Sequence, residues 1–127
     1  MIKAKKRTRV LLVDDNASIT RFLIINLEHH GFEAPVVVSV DLAEEMAGHT
    51  KVDAVALSSQ NLAATPKDIS RLRKAFGCPI LAYGPGAAAG DGNLSADKCI
   101  VHFEDPVGFL QAVAAAIANK SKTGIAG

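Results

Sequence analysis

Apolar runs of strand length alternate along the chain with stretches whose apolar residues recur at helical spacing. The runs fall near 9–13, 33–38, 52–57, 79–83 and 99–103, and the helical patterns near 17–29, 41–48, 66–76 and 106–118. Such alternation predicts parallel strands joined by crossover helices, an α/β domain.

Local chemistry marks the element boundaries. Ile19, Phe22, Leu23 and Leu27 fall on one helical face, Asn16 stands where a cap is needed, and Gly31 follows the end. Asp41 with Glu44 three residues later resembles a capping box, and Thr65-Pro66 and Asp105-Pro106 each set a cap residue before a first-turn proline. Phe109, Leu110, Val113, Ala114 and Ile117 give the last helix an apolar stripe, after which residues 120–127 read as a mobile polar tail. The segment 84–95, which Gly84 opens and Ser95 closes, lies where one more crossover helix belongs. Four glycines and one proline among its twelve residues allow a short turn around Ala87-Ala88-Ala89 at most, so that helix is expected to be short or replaced by a loop. The expected organisation is a basic lead-in over 1–8, one domain over 9–119 and a tail over 120–127.

A length of 127 residues suits one domain, and 49% hydrophobic residues with 5% aromatic predict an aliphatic core. The formal charge of +1 hides an asymmetry: Lys3, Lys5, Lys6, Arg7 and Arg9 crowd the start, leaving 9 basic against 13 acidic residues, a balance of −4, from Val10 onward. The body is mildly acidic, so no nucleic-acid affinity is implied, and the basic cluster reads as a solvated lead-in rather than a nucleic-acid or membrane arm. Asp14 and Asp15 interrupt the first apolar run, which excludes a secretory signal there, and no stretch of about 18 apolar residues suggests a membrane span. A cytoplasmic location is expected. Cys78 and Cys99 form neither a disulfide framework nor a metal-ligand pattern; they fall near the starts of two neighbouring predicted strands and read as buried, reduced thiols.

In a parallel α/β sheet, ligands gather outside the carboxyl ends of the strands. Asp14, Asp15, Ser58, Ser59, Gly84 and His102 all fall at that edge. An acidic pair beside an acidic acceptor is what a metal-assisted phosphoryl transfer needs, because the cation must bridge protein oxygens and the moving group. Here the pair stands at Asp14-Asp15, while the third run ends in Ser58-Ser59.

The pieces RVLLVDDN, GFE, VDAVAL, CPILAY, ADKCIV and DPVGFLQAV, in that order and spacing, resemble the receiver domain of bacterial two-component response regulators over residues 9–119. The resemblance implies a flavodoxin-like, doubly wound five-stranded parallel sheet in the order 2-1-3-4-5. It also implies a chemistry: the acidic pair and an aspartate ending the third strand hold Mg2+, and that aspartate takes a phosphoryl group from a histidine kinase. A hydroxyl ending the fourth strand and a lysine ending the fifth bind the phosphoryl oxygens.

Three of those five positions depart from the pattern. The acceptor position falls on Ser58 counting from Asp53, or on Ser59 counting back from Asn61-Leu62; the hydroxyl position falls on Gly84 and the lysine position on His102, followed by Phe103 where the family has proline. The aromatic that the family's hydroxyl switch moves is matched by Cys99. Without the acceptor carboxylate, Mg2+ binding at Asp14 and Asp15 is expected to be weak or absent. A serine is a poor nucleophile without an adjacent base, and a histidine with an ordinary pKa near 6.5 lacks most of the lysine's charge at neutral pH.

The expectation is therefore a degenerate, non-enzymatic pseudo-receiver without a cofactor. It would bind a protein partner, a histidine kinase or another signalling protein, through the fifth strand, the last helix or the loop over 84–95. Two other readings compete: a phosphoryl-accepting domain using Ser58 or Ser59, or a cation at Asp14-Asp15; and a small-ligand sensor using the emptied pocket or the glycine loop. Plainer roles stand beside these. Asp14-Asp15 suit the positive N-terminus of the first helix, His29-His30 suit its C-terminus, and His49 reads as surface. The run from Gly84 to Ala89 fits a Gly-x-Gly-x-x-Ala nucleotide fingerprint, but it follows the fourth strand and Gly90-Asp91-Gly92-Asn93 breaks the helix that should hold a pyrophosphate.

Overall fold

The structure, a computed structural model, describes residues 8–58, 66–84, 98–100 and 106–126. Its elements are β1 (Thr8–Val13), α1 (Ala17–His29), β2 (Phe32–Glu33), β3 (Val36–Val37), α2 (Val40–Ala47), β4 (Ala54–Ser58), α3 (Pro66–Phe76), β5 (Ile80–Tyr83), β6 (Lys98–Ile100) and α4 (Pro106–Ala126). The strands form one sheet in the order β2-β1-β4-β5-β6, with β3 also on β1 and every pairing parallel. Counting β2 and β3 as two halves of one strand, this is the expected 2-1-3-4-5 order of a flavodoxin-like sheet.

Val10, Leu11, Leu12, Val13, Ala54, Val55, Ala56 and Leu57 are fully buried because helices cover both faces of the sheet. On one face Leu12, Ala56, Leu81 and Tyr83 pack with Leu23 and Leu27 of α1 and Phe109 and Val113 of α4. On the other, Leu11, Val13, Leu57 and Ile80 pack with Ala43 of α2 and Ile69 and Leu72 of α3. Each such leucine, isoleucine or phenylalanine contributes about 1.5–3 kcal/mol by leaving water.

The structure departs from the sequence pattern at several boundaries. The strand predicted near 33–38 is split at Ala34-Pro35, since proline has no N–H to donate; its carbonyl still accepts from Leu12 N at 2.8 Å, and Val37 O accepts from Asp14 N at 3.1 Å. The capping box expected at Asp41 is not formed. Ser39 caps α2 instead, accepting from Leu42 N at 3.1 Å, while Asp41 and Glu44 bind Arg71 of α3 at 2.6 Å each. That guanidinium holds the half-buried Glu44 carboxyl below its ordinary value and locks α2 to α3. In α4 the buried stripe is Phe109, Ala112, Val113 and Ala116, and Ala114 is exposed. The α4 backbone stays helical to Ala126, where a tail was expected from 120. Alanine, lysine and serine dominate beyond Ile117, and one glycine, Gly124, is too weak a break to end the helix.

Asn16 caps α1 as expected, its side chain accepting from Ser18 N at 3.0 Å and Ile19 N at 3.2 Å, and Gly31 follows with φ +89°. Arg9, the last of the basic cluster and the expected start of the first strand, is tied into the fold: its guanidinium pairs with Glu33 at 2.8 Å and its N–H donates to Asp53 at 2.9 Å. The two cysteines do not meet. Ala82 pairs with Cys99, and Cys78 lies four residues earlier, roughly 13 Å along the strand direction at about 3.3 Å per residue, beyond the reach of a disulfide. The expected loss of the fourth crossover helix falls on residues outside those described.

Candidate functional site

β1, β4 and β5 end at the same edge of the sheet, and their register decides what meets there. Val13 pairs with Leu57 and Ser58 with Tyr83, so Asp14, Ser58 and Tyr83 form a row across three neighbouring strands. Side chains alternate along a strand. Asp14 therefore shares the parity of Leu12, Ser58 that of Ala56, and Tyr83 that of Leu81, which are all residues of the core beneath α1 and α4.

All three are sealed from solvent, with Asp14 at 1% exposure, Ser58 at 2% and Tyr83 at 1%. The Tyr83 hydroxyl reaches from β5 past β4 to donate to Asp14 Oδ2 at 2.6 Å. The other carboxylate oxygen, Oδ1, accepts the Asn16 N–H at 2.9 Å, which sets the turn into α1. A buried carboxylate is costly unless it is hydrogen-bonded, and these two donors offset part of that cost. Asp15, one residue on, has the opposite parity and is exposed. The acidic pair thus separates into one buried structural aspartate and one solvated one.

Burial, the bond to Asp14 and the charges of Asp14 and Asp15 push the Tyr83 phenol far above its ordinary value of 10. A group whose folded pKa is raised adds stability that is fully present below its unfolded pKa and is lost as pH climbs beyond it. Tyr83 is the sole tyrosine and the chain has no tryptophan, so an alkaline titration of phenolate absorbance reads this one group. No phenolate should form near pH 10 in the folded protein; its signal should rise at higher pH, together with loss of the far-ultraviolet dichroism. A phenolate titrating near pH 10 with the fold intact would contradict the buried bond.

Of the positions singled out in the sequence, Gly84 follows Tyr83 with φ +114°, a conformation that favours glycine. Cys99 lies in β6, paired with Ala82. Ser59, His102 and the glycine-rich segment after Gly84 are outside the described residues. His30 at the end of α1 uses Nδ1 against the Asn26 carbonyl at 2.9 Å, which requires a proton on that nitrogen. Tyr83, which in the sequence reads only as the end of an apolar run, is the residue that the structure adds to this edge.

The donor set does not suit Mg2+. Both oxygens of Asp14 already accept protein hydrogen bonds, and the neighbouring position carries a serine hydroxyl. Among the described residues, no three His, Cys, Asp or Glu side chains converge on one point. A cleft of about 490 Å³ opens at the opposite end of β1, lined by residues including Arg9, Glu28, Glu33 and Thr50. Among the described residues, no helix is long and apolar enough to cross a membrane.

No protein-family model matches the chain, and no curated protein matches its sequence. Solved structures do. A CheY-like response regulator receiver domain protein from Methanospirillum hungatei JF-1 superposes with a TM-score of 0.79 at 16% identity, covering 93% of this chain and 99% of that one. The receiver domain of a sensor histidine kinase from Pseudomonas aeruginosa PAO1, solved with magnesium coordinated in its active-site cleft, gives 0.75 at 17% identity over 89% of this chain and 99% of its own. An orphan response regulator of H. pylori gives 0.72 at 21% identity over 87% and 96%. The chain has the receiver fold.

Proposed function

We propose that this chain is a signalling domain of the receiver type that takes no phosphoryl group on its central strand and acts by binding a protein partner. The row Asp14, Ser58, Tyr83 carries this reading. Where the fold's phosphoryl chemistry needs a carboxylate acceptor and a cation, this chain has a buried hydroxyl, and its inner aspartate is already bonded to a phenol.

The competing phosphoryl-accepting reading requires Ser58 to attack from a position that solvent does not reach. The carboxylate nearest in register, Asp14, has both oxygens engaged, so it is poorly placed to act as the base. The sensor reading gains nothing from the cleft described above, which lies at the other end of β1. For the partner, the first turns of α4 support this reading: among its residues of described burial, Val107, Gln111, Ala114, Ala115 and Ala118 are exposed and none is charged. An outward helix face normally carries charge, so an uncharged one suits a covered surface. A histidine kinase or another signalling protein of the same pathway fits that role.

Incubation with Mg2+ and a small phosphodonor, followed by intact mass measurement, should leave the protein unmodified, and millimolar Mg2+ should leave the Asp15 amide resonance in place. A stable phosphoryl adduct on Ser58 or Ser59 would sink the reading.

A further inference from the structure

Tyr83 has two faces of contact. Its hydroxyl is on Asp14 at 2.6 Å, and its ring stands edge-to-face against Phe109 of α4, with centroids 6.0 Å apart and planes at 88°. Asp14 holds the Asn16 N–H, and Asn16 caps α1. A continuous line of contacts therefore runs from the start of α1, through the acidic edge of β1 and across β4, into the last helix. Gly84 carries no side chain that could make such a link, so the tyrosine before it is the residue that joins the acidic edge to α4.

We propose that Tyr83 is a positioning residue that permanently ties the acidic edge to α4, setting the arrangement of that helix by a fixed phenol–carboxylate bond instead of a reversible phosphoryl contact. This rests on the reading of the chain as a domain that is not phosphorylated. Aromatic edge-to-face contact is directional, so a phenol displaced from Asp14 turns the ring that α4 packs against. The phenol stays protonated across the physiological range, which makes the tie insensitive to ordinary pH.

The test is whether residues 14 and 109 communicate, and whether Tyr83 carries the communication. Asp14→Ala should shift the backbone amide resonances of α4 around Phe109 and Val113 as well as those at Asp15 and Asn16. In a Tyr83→Phe background, which keeps the ring and removes the hydroxyl, the same Asp14→Ala change should shift the α4 resonances several times less. Asp14→Leu, which keeps the branched shape of the side chain but offers the phenol no acceptor, repeats the comparison if the alanine variant does not fold. Equal α4 shifts in both backgrounds, or none with Tyr83 in place, overturn the proposal. An adduct formed by the wild-type chain with a phosphodonor overturns instead the reading beneath it, which the amide shifts do not probe.

Discussion

Placing an acid at the acceptor position should destabilise the protein strongly, and a divalent cation should reverse part of the loss. Ser58→Asp would set a second carboxylate in register with Asp14, at the roughly 4.8 Å spacing of neighbouring strands and in a site now 2% exposed. Two donors at this edge are already engaged by Asp14, Tyr83 on one oxygen and Asn16 on the other. An uncompensated buried charge costs on the order of 3–5 kcal/mol. The pH dependence follows from the pair: two carboxylates in one site raise one pKa, so the cost is absent in acid and grows as pH climbs through the carboxyl range near 4. Urea unfolding at pH 7 and pH 4 reads this directly. Millimolar Mg2+ should restore stability in the variant by mass action, about 2.7 kcal/mol when free metal is a hundred times its dissociation constant, and leave the wild type unchanged. A wild-type protein that Mg2+ stabilises equally would show that Asp14 and Asp15 already hold the cation without an acceptor.

The fold was legible because its strands announce themselves. Strands covered on both faces must be apolar at both parities, and Val10-Leu11-Leu12-Val13, Ala54-Val55-Ala56-Leu57 and Ile80-Leu81-Ala82 all are. What was less legible is where polar side chains choose among partners. Asp41 and Glu44 have capping-box spacing, yet a guanidinium across the helix pair outbids a backbone N–H for both, and Ser39 takes the cap. Sequence spacing cannot see a residue thirty positions away.

The same limit hid the centre of the site. Tyr83 sits at the end of an apolar run, where it reads as one more buried residue. Two signals were available. A phenol in a fully buried strand needs an acceptor. Strand parity, once β1, β4 and β5 are aligned, also puts it on the face of Asp14. The acidic pair itself misleads, because adjacent residues on a strand point opposite ways: Asp14 goes inward and Asp15 outward. Retaining both aspartates therefore says little about a cation, since the inner one is accounted for by Asn16 and Tyr83.

Phe109→Ala should be the most damaging change on the α4 side, and its effect should separate packing from the site. Phe109 is 1% exposed and forms the wall against which Tyr83 stands. Truncating a buried phenylalanine costs about 3–5 kcal/mol, including the cavity left behind. A domain of this size has on the order of 5–15 kcal/mol in all, so chemical denaturation should show a large loss with the unfolding slope unchanged. Leu72→Ala, in the core beneath α2 and α3, should cost about 2–5 kcal/mol from an equally buried position. The two variants part company in the alkaline titration. With Phe109 gone, water reaches the phenol and the burial that raises its pKa is reduced, so phenolate should appear at lower pH than in the wild type while dichroism still reports a folded chain. Leu72→Ala should shift phenolate formation only as far as it shifts unfolding. If the leucine variant lowered the phenolate midpoint ahead of unfolding as much as the phenylalanine variant, then Tyr83 would be reporting on the stability of the whole domain, and its contact with α4 would carry no special weight.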